Sequence, residues 1–442
     1  MTPIRAFWGL TFVLALSACS RDDPVLPGDR EDIRAVLADD FVPTEPSDEH
    51  VNRDVPVALP PATSNPEWLQ SIASPGTRTA HPALSASPSL AWSVGIGAGD
   101  GRKMRITADP VVAEGRIFTL DAASQVSAVS TNGQILWQRN LVSPGESATD
   151  ATGGGLAFGD GKLFVSSGFG HITALDPETG AQIWQQKLRA TGTGNPTVKD
   201  GLVYLVAGSE VGWAIRTDNG RIAWRISATP TIKNVIGGPA PAVTDKYAVF
   251  AFGSGELQGT FRKGGLRLWD SQVAGQRQGF SAARVGDITS DPVVVGDRIF
   301  VGNHSGRTVA LNLANGNRLW TATDGPLNSI WPAGDSIFMI SDRNELIRLG
   351  MADGRRIWSE TLEFFVSDRP RRQAEIVGHY GPIIAGGNLI VASNDGQMRL
   401  YNPDNGSLRG TVEIPGGATT NPVVAGNTLY LVSTNGQLLA FR

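Results

Sequence analysis

A glycine followed four residues later by a tryptophan recurs along the chain, and this repeat restricts the fold more than any other feature. It stands at Gly133/Trp137, Gly180/Trp184, Gly220/Trp224, Gly316/Trp320 and Gly354/Trp358. A proline that opens an apolar stretch recurs in step, at Pro110, Pro196, Pro241, Pro292, Pro382 and Pro422. The period is ~40–50 residues, the length of a propeller blade. The clearest unit covers 154–184. It reads as strands at 155–158, 162–166 and 171–176, with turns at Gly159-Asp160-Gly161, at 168–170 and at Pro177–Gly180, then a last strand ending at Trp184. Four short strands joined by Gly and Asp turns make one antiparallel meander.

Eight units follow one another, beginning near Asp109, Gly153, Asn195, Gly237, Asp291, Ser329, Tyr380 and Asn421. Two depart from the pattern. The fourth has Gly279 at the expected Trp position, with Leu268-Trp269-Asp270 matching the strand before it, and the seventh has Gly410 there. The eighth stops at Arg442 after three strands. An orphan strand, Leu90-Ala91-Trp92-Ser93-Val94, precedes the first unit and supplies the missing fourth. The expected fold is therefore all-β: an eight-bladed β-propeller of four-stranded antiparallel blades over 88–442, closed by an N-terminal strand. Closure matters because an open ring would leave two sheet edges unpaired. Trp92, Trp137, Trp184, Trp224, Trp320 and Trp358 are expected to dock blade on blade. A flat indole can cover a neighbouring backbone where glycine lets that backbone approach.

The N-terminus reads as a processing signal. Arg5 is followed by an apolar run over 6–16 and by Leu16-Ser17-Ala18-Cys19. This makes 1–18 a signal peptide, too short to span a bilayer, which takes about 20 apolar residues. The Leu-Ser-Ala-Cys end resembles the lipobox of bacterial lipoproteins, which implies that Cys19 is the lipidated first residue of the mature chain. Ser20, in place of the Asp that retains such proteins in the inner membrane, implies sorting to the outer membrane. Several acyl chains anchor stably, since each buried CH₂ contributes about 0.8 kcal/mol. Cys19 is the one cysteine, so no disulfide holds the fold. The stretch 19–87 is rich in Pro, Asp, Ser and Ala. It reads as a mostly disordered lipidated tether, with a brief helix at 29–37 and with Trp68 and His81 as residues able to pack on the domain.

Composition and motifs argue against chemistry. The chain carries 53 Gly and 27 Pro, many turns' worth, and a net charge of −4 that excludes nucleic acid as the main partner. His50, His81, His171, His304 and His379 show no metal-ligand spacing. The Gly95–Gly101 stretch lacks the Gly-Lys-Ser/Thr of a phosphate loop. Ser167 is not on a strand–elbow–helix, as a hydrolase nucleophile would be. No catalytic residue, cofactor or metal ligand is expected. Arg369-Pro370-Arg371-Arg372 lies in the longest insertion, as a solvated loop or a docking loop for an acidic partner.

The run Ala174-Leu175-Asp176-x-x-Thr179-Gly180-x-x-x-Trp184 resembles the pyrroloquinoline-quinone-type propeller repeat. With the lipobox, the length and eight compact blades, the chain resembles the BamB family of lipoproteins of the outer-membrane β-barrel assembly machinery. That resemblance implies a non-catalytic periplasmic scaffold. It would bind the periplasmic domains of BamA and other subunits of the machinery, and assist folding and insertion of nascent outer-membrane proteins. A quinone-dependent dehydrogenase shares the repeat, but its alcohol-oxidising members carry adjacent paired cysteines that this chain lacks. A periplasmic propeller binding a ligand in its channel is the other alternative, with Trp213 and Trp331 as candidate lining residues. The family approaches one central blade through Asp-Val-Asp-Thr-Thr-Pro, and this chain reads Asp287-Ile288-Thr289-Ser290-Asp291-Pro292. The resemblance thus implies partner binding at Asp287 and Thr289, with Val235 and Ile236 from the preceding inter-blade loop. Thr289 replaces the family's second Asp, and Lys233-Asn234-Val235-Ile236 replaces a Leu- and Arg-containing turn.

Overall fold

The computed structural model describes residues 51–71, 73–77, 81–188, 190, 194–208, 210–230, 238–273, 286–366, 369, 373 and 375–442. The described strands form eight four-stranded antiparallel sheets. Seven are consecutive meanders, over 111–140, 154–187, 197–227, 242–272, 293–322, 331–361 and 379–413. The eighth combines the strands of 423–441 with Leu90–Gly95. The chain is thus the eight-bladed propeller that its repeat predicts.

Local sequence explains each blade. The inner strands lie between neighbouring blades and are apolar on both faces, as in Lys162–Ser167, where Leu163, Phe164 and Val165 are fully buried. The outer strands alternate, with a period of two, between exposed and half-buried residues, as in Gln182–Lys187. Two-residue turns join the first and second strands. Asp160-Gly161 and Asp200-Gly201 both have positive φ, at 49° and 67° and at 45° and 81°. This is the mirror-image turn whose twist matches an antiparallel pair, and it is why Asp-Gly recurs there.

The ring closes where the eighth unit runs out of chain. Leu90–Gly95 pairs with Gln437–Phe441, setting Trp92 opposite Ala440 and Val94 opposite Leu438. Ser89 N–H donates to Arg442 O at 2.7 Å and Arg442 N–H to Ser89 O at 2.9 Å, which locks the two ends.

Each outer-strand indole lies on the glycine of the next blade's third turn. A Cβ on Gly180 would come within 2.6 Å of the Trp137 ring, and one on Gly220 within 2.7 Å of Trp184. Trp92, Trp320 and Trp358 cover Gly133, Gly354 and Gly406 in the same way, and Trp224 covers Gly265. The indole N–H donates to the carbonyl that opens the same turn: Trp137 to Pro177 at 3.0 Å, Trp184 to Thr217 at 3.0 Å, Trp358 to Pro403 at 3.1 Å.

The reading of the fourth unit needs correction. Trp269, not position 279, holds the docking place: it covers Gly316 and donates to Leu313 O at 3.0 Å. Gly265 stands four residues before Trp269, so the repeat's own spacing marked the residue. Gly410 in the seventh blade also acquires a reason. The third strand of the eighth blade ends the chain at Phe441–Arg442, and its fourth strand comes from Leu90–Gly95. That blade has no turn between them for an indole to cover.

The mostly disordered tether expected up to residue 87 is also revised. The compact unit runs over 50–442. Asn52 and Arg53 bond to the outer strand of the sixth blade and Val55 and Val57 to Asp404 of the seventh, while from Asn65 onward the segment meets inner strands, with Trp68 and Gln70 each 1% exposed. His81 accepts Gly387 N–H at Nε2, at 3.0 Å. Cys19, the signal peptide and the brief helix at 29–37 lie outside the described residues.

Candidate functional site

A meander of this kind puts its connections on two faces. The turns after the first and third strands lie on one, the turn face. The turns after the second strand and the loops between blades lie on the other, the loop face. The inter-blade loops are the longer connections, and the strands behind them hold them still, so the loop face is where binding residues are sought.

The sequence-predicted residues are distributed unevenly there. Val235 and Ile236 lie outside the described residues. Asp287 is 4% exposed, in the loop leading to the fifth blade. Thr289 is half-buried, and its hydroxyl donates to Pro326 O at 2.8 Å, tying this loop to the next inter-blade loop. A carboxylate this buried is packed within its loop, so any change to it also changes the loop's packing. Charge reversal at Asp287 is therefore not a clean interface probe. Asp287→Arg forces a longer cation into a closed site, and we expect it to lower the melting temperature by several degrees. A variant that melts like the wild type would return Asp287 to the surface.

Asp291, which the sequence had marked only as the start of a unit, organises this region. Its carboxylate accepts Ala240 N–H at 2.6 Å, Ser329 Oγ–H at 2.7 Å and Ser71 Oγ–H at 2.8 Å. One buried side chain thus joins the entrances of the fourth, fifth and sixth blades and the N-terminal segment.

The insertion between the sixth and seventh blades carries the most exposed apolar surface on the loop face. Phe365 and Ile376 pair across a short hairpin, with Val366 N–H donating to Glu375 O at 3.1 Å. Phe364 is 39% exposed, Val366 52% and Ile376 53%, with Leu327 of the adjacent loop at 37%. Of the basic run, Arg369 is described and exposed; Pro370, Arg371 and Arg372 lie outside the described residues.

His379 fastens the base of this hairpin. Its Nε2–H donates to Glu363 O at 2.8 Å and its Nδ1 accepts the Ser393 hydroxyl at 2.7 Å. Burial, aided by the nearby Arg399, holds its pKa below the ordinary 6.5. Because the folded value is depressed, the unfolded chain binds the proton more readily. Stability is then full above pH 6.5 and falls as the pH drops through that value. The expected result is a melting temperature that declines from pH 7 to pH 5, with a shallower slope in His379→Gln. Equal slopes would show that His379 does not contribute.

Little in the described residues suggests chemistry. No three His, Cys, Asp or Glu side chains come together as a metal-ligand set. A cleft of about 510 Å³ between the first two blades is a polar surface recess lined by Arg139, Ser143, Phe169, His171, Gln185 and Lys187, with Ser143 Oγ 3.5 Å from His171 Nδ1. Trp213 and Trp331, 6% and 0% exposed, are core residues rather than channel-lining ligand contacts.

Comparison with known proteins bears on this site. The family model described as outer membrane protein assembly factor BamB matches residues 122–360 and 366–442. The chain belongs to the BamB family. The BamB protein of Yersinia pestis is 24% identical over 363 residues, 80% of this chain and 89% of that protein. The Escherichia coli K12 member is 23% identical over 355 residues, 79% and 88%. Among solved structures, BamB of Moraxella catarrhalis superposes with a TM-score of 0.65 at 18% identity, covering 80% of this chain and all of that one. A quinohemoprotein alcohol dehydrogenase from Comamonas testosteroni gives 0.64 at 14% identity, covering 86% and 81%, a likeness of fold alone. The BamB match resumes at 366, inside the hairpin insertion, and leaves out the segment 51–87.

Proposed function

We propose that this chain is a non-catalytic scaffold of the machinery that assembles outer-membrane proteins. It is anchored by a lipidated Cys19 in the outer membrane, faces the periplasm, and binds the periplasmic domains of BamA. The observation that carries this reading is the family match across the blades, over residues 122–360 and 366–442. The lipobox at Leu16–Cys19 supports the anchor. The loop face supports the docking role, because rigid inter-blade loops present exposed apolar groups beside polar ones, as protein interfaces do. Contacts are assigned to the loops between the third and fifth blades, through Val235, Ile236 and Thr289, with Asp287 acting from beneath on the loop's shape. Nascent outer-membrane proteins are the clients of the assembled machinery.

Two measurements test the reading. Tagged protein drawn from solubilised membranes is expected to bring BamA with it. Recovery without BamA, in cells whose outer-membrane protein levels are unchanged by loss of this chain, overturns it. Cys19→Ser is expected to move the protein from the membrane to the soluble periplasmic fraction while leaving its fold intact. A variant that still fractionates with the outer membrane in cells lacking BamA would refute the anchor.

A further inference from the structure

The inner strand of every blade has one edge paired to its own sheet and one turned to the central channel. In an eight-membered ring this leaves a circle of unpaired backbone donors, a form of exposed strand edge. The N-terminal segment covers them in order. Trp68 exchanges two 2.8 Å hydrogen bonds with Val112 of the first blade. Phe158 N–H of the second donates to Leu69 O at 2.7 Å, and Val198 N–H of the third to Gln70 Oε1 at 2.9 Å. Val243 of the fourth donates to Pro75 O at 2.7 Å and Val294 of the fifth to Gly76 O at 2.8 Å. These five donors are one position of the repeat, each opposite the second residue of its blade's next strand: Ile117, Leu163, Val203, Ala248 and Ile299.

The other blades complete the circuit. The sixth has Pro332 at the same register and so no N–H to offer; there the Trp68 ring stacks on Trp331, centroids 6.1 Å apart. Gly386 N–H of the seventh donates to Pro82 O at 3.4 Å. In the eighth, Gly426 N–H donates to Asn65 O at 2.8 Å, and Asn65 Nδ2–H to Val424 O at 2.6 Å. The segment thus passes the eighth, first, second, third, fourth, fifth and seventh blades in ring order. It is held chiefly through main-chain atoms, which any extended polypeptide possesses.

We propose that the described residues within 63–82 are a resident competitor. They fill in cis a site for an extended polypeptide on the inner strand edges, and so keep the strands of an unfolded client from adding to the ring. The role as cover rests on the assembly reading above, since a scaffold working among unpaired β-strands is the one that most needs its own edges capped. Capture of a strand by such an edge is β-augmentation, in which backbone bonds give affinity whatever the sequence. The segment precedes the residues matched by the family model, which begin at 122.

The test uses the full-length chain and its Trp68→Ala/Gln70→Ala double variant, which leaves every blade's own sequence unchanged and removes the ring stacked on Trp331 and the acceptor for Val198 N–H. Two labelled probes are titrated: a synthetic peptide of residues 60–77, and an unrelated peptide alternating apolar and polar residues. The variant is expected to bind both at least ~10-fold more tightly than the wild type, each displacing the other. Amide exchange at Val112, Phe158, Val198, Val243 and Val294 should accelerate in the free variant and slow again with peptide. Exposed amides with no peptide binding would overturn the proposal, as would wild-type protein binding the alternating peptide equally well. If the double variant does not fold, Gln70→Ala alone must show the same order of binding. Co-purification of BamA with these variants is scored separately, so loss of the assembly reading is not mistaken for loss of this one.

Discussion

A chain beginning at residue 96 is expected to lose its cooperative unfolding transition, whereas one beginning at residue 84 keeps it at a lowered temperature. Both lack the channel segment, so the difference reports on residues 84–95, that is on Leu90–Gly95 together with the Ser89–Arg442 and Ala86–Asn388 bonds that lead into it. Without that strand the backbone edge of Gln437–Phe441 is open, and Trp92 no longer covers Gly133 or donates to Thr131 O at 3.2 Å. The eighth and first blades then separate. Each blade alone buries too little apolar surface to persist, because the inner strands are covered only by neighbouring blades. We expect the midpoint to fall by ~10 °C or more, or the transition to broaden beyond fitting. Thermal melts followed by circular dichroism decide it. Matching melts for the two truncations would mean that the ring holds without its closing strand.

Asp291→Ala is expected to be the most damaging single substitution at the loop entrances, costing about 3 kcal/mol. The carboxylate is 4% exposed and accepts from Ala240 N–H, Ser71 Oγ–H and Ser329 Oγ–H. Removing it leaves a buried amide and two hydroxyls without their charged acceptor. Asp291→Asn keeps the shape and one acceptor oxygen and should lose roughly half as much, since hydrogen bonds to a charge are about twice as strong. Chemical denaturation of both variants measures the difference. Equal and small losses in both would show that water replaces the carboxylate. Hydrogen exchange in Asp291→Ala should rise together at the entrances of the fourth, fifth and sixth blades, because one side chain ties all three.

Much of this was legible in the chain, for stated physical reasons. Asp160-Gly161 had to be a tight hairpin because only such residues take positive φ cheaply there. The Gly–Trp spacing revealed docking contacts because an indole needs a neighbour without a side chain. Trp269 followed the same rule through Gly265, but Leu268-Trp269-Asp270 reads equally as the strand before the docking strand, and only the strand pairing makes it the fourth. Asp287 was harder. Sequence marks it as an acidic loop residue, and acidic loop residues are usually exposed. Its burial comes from the stacking of successive inter-blade loops, which no local pattern encodes.

The sequence by itself determined the blade, the number of blades and the way the ring closes, since each depends on short-range periodicity, turn residues and a count of strands. Only the tertiary structure decided what becomes of residues 51–87. Their composition, rich in Pro, Ser and Asp, reads as disordered because the partners that order them are not in the neighbouring sequence. Those partners are the outer strand of the sixth blade and a turn of the seventh for residues 52–57, and the inner edges of the blades for Asn65, Trp68, Leu69, Gln70, Pro75 and Gly76, brought together only when the whole ring has closed. A segment held by backbone hydrogen bonds to a surface made of distant strands leaves no periodic trace in its own residues, so its order is a property of the closed ring.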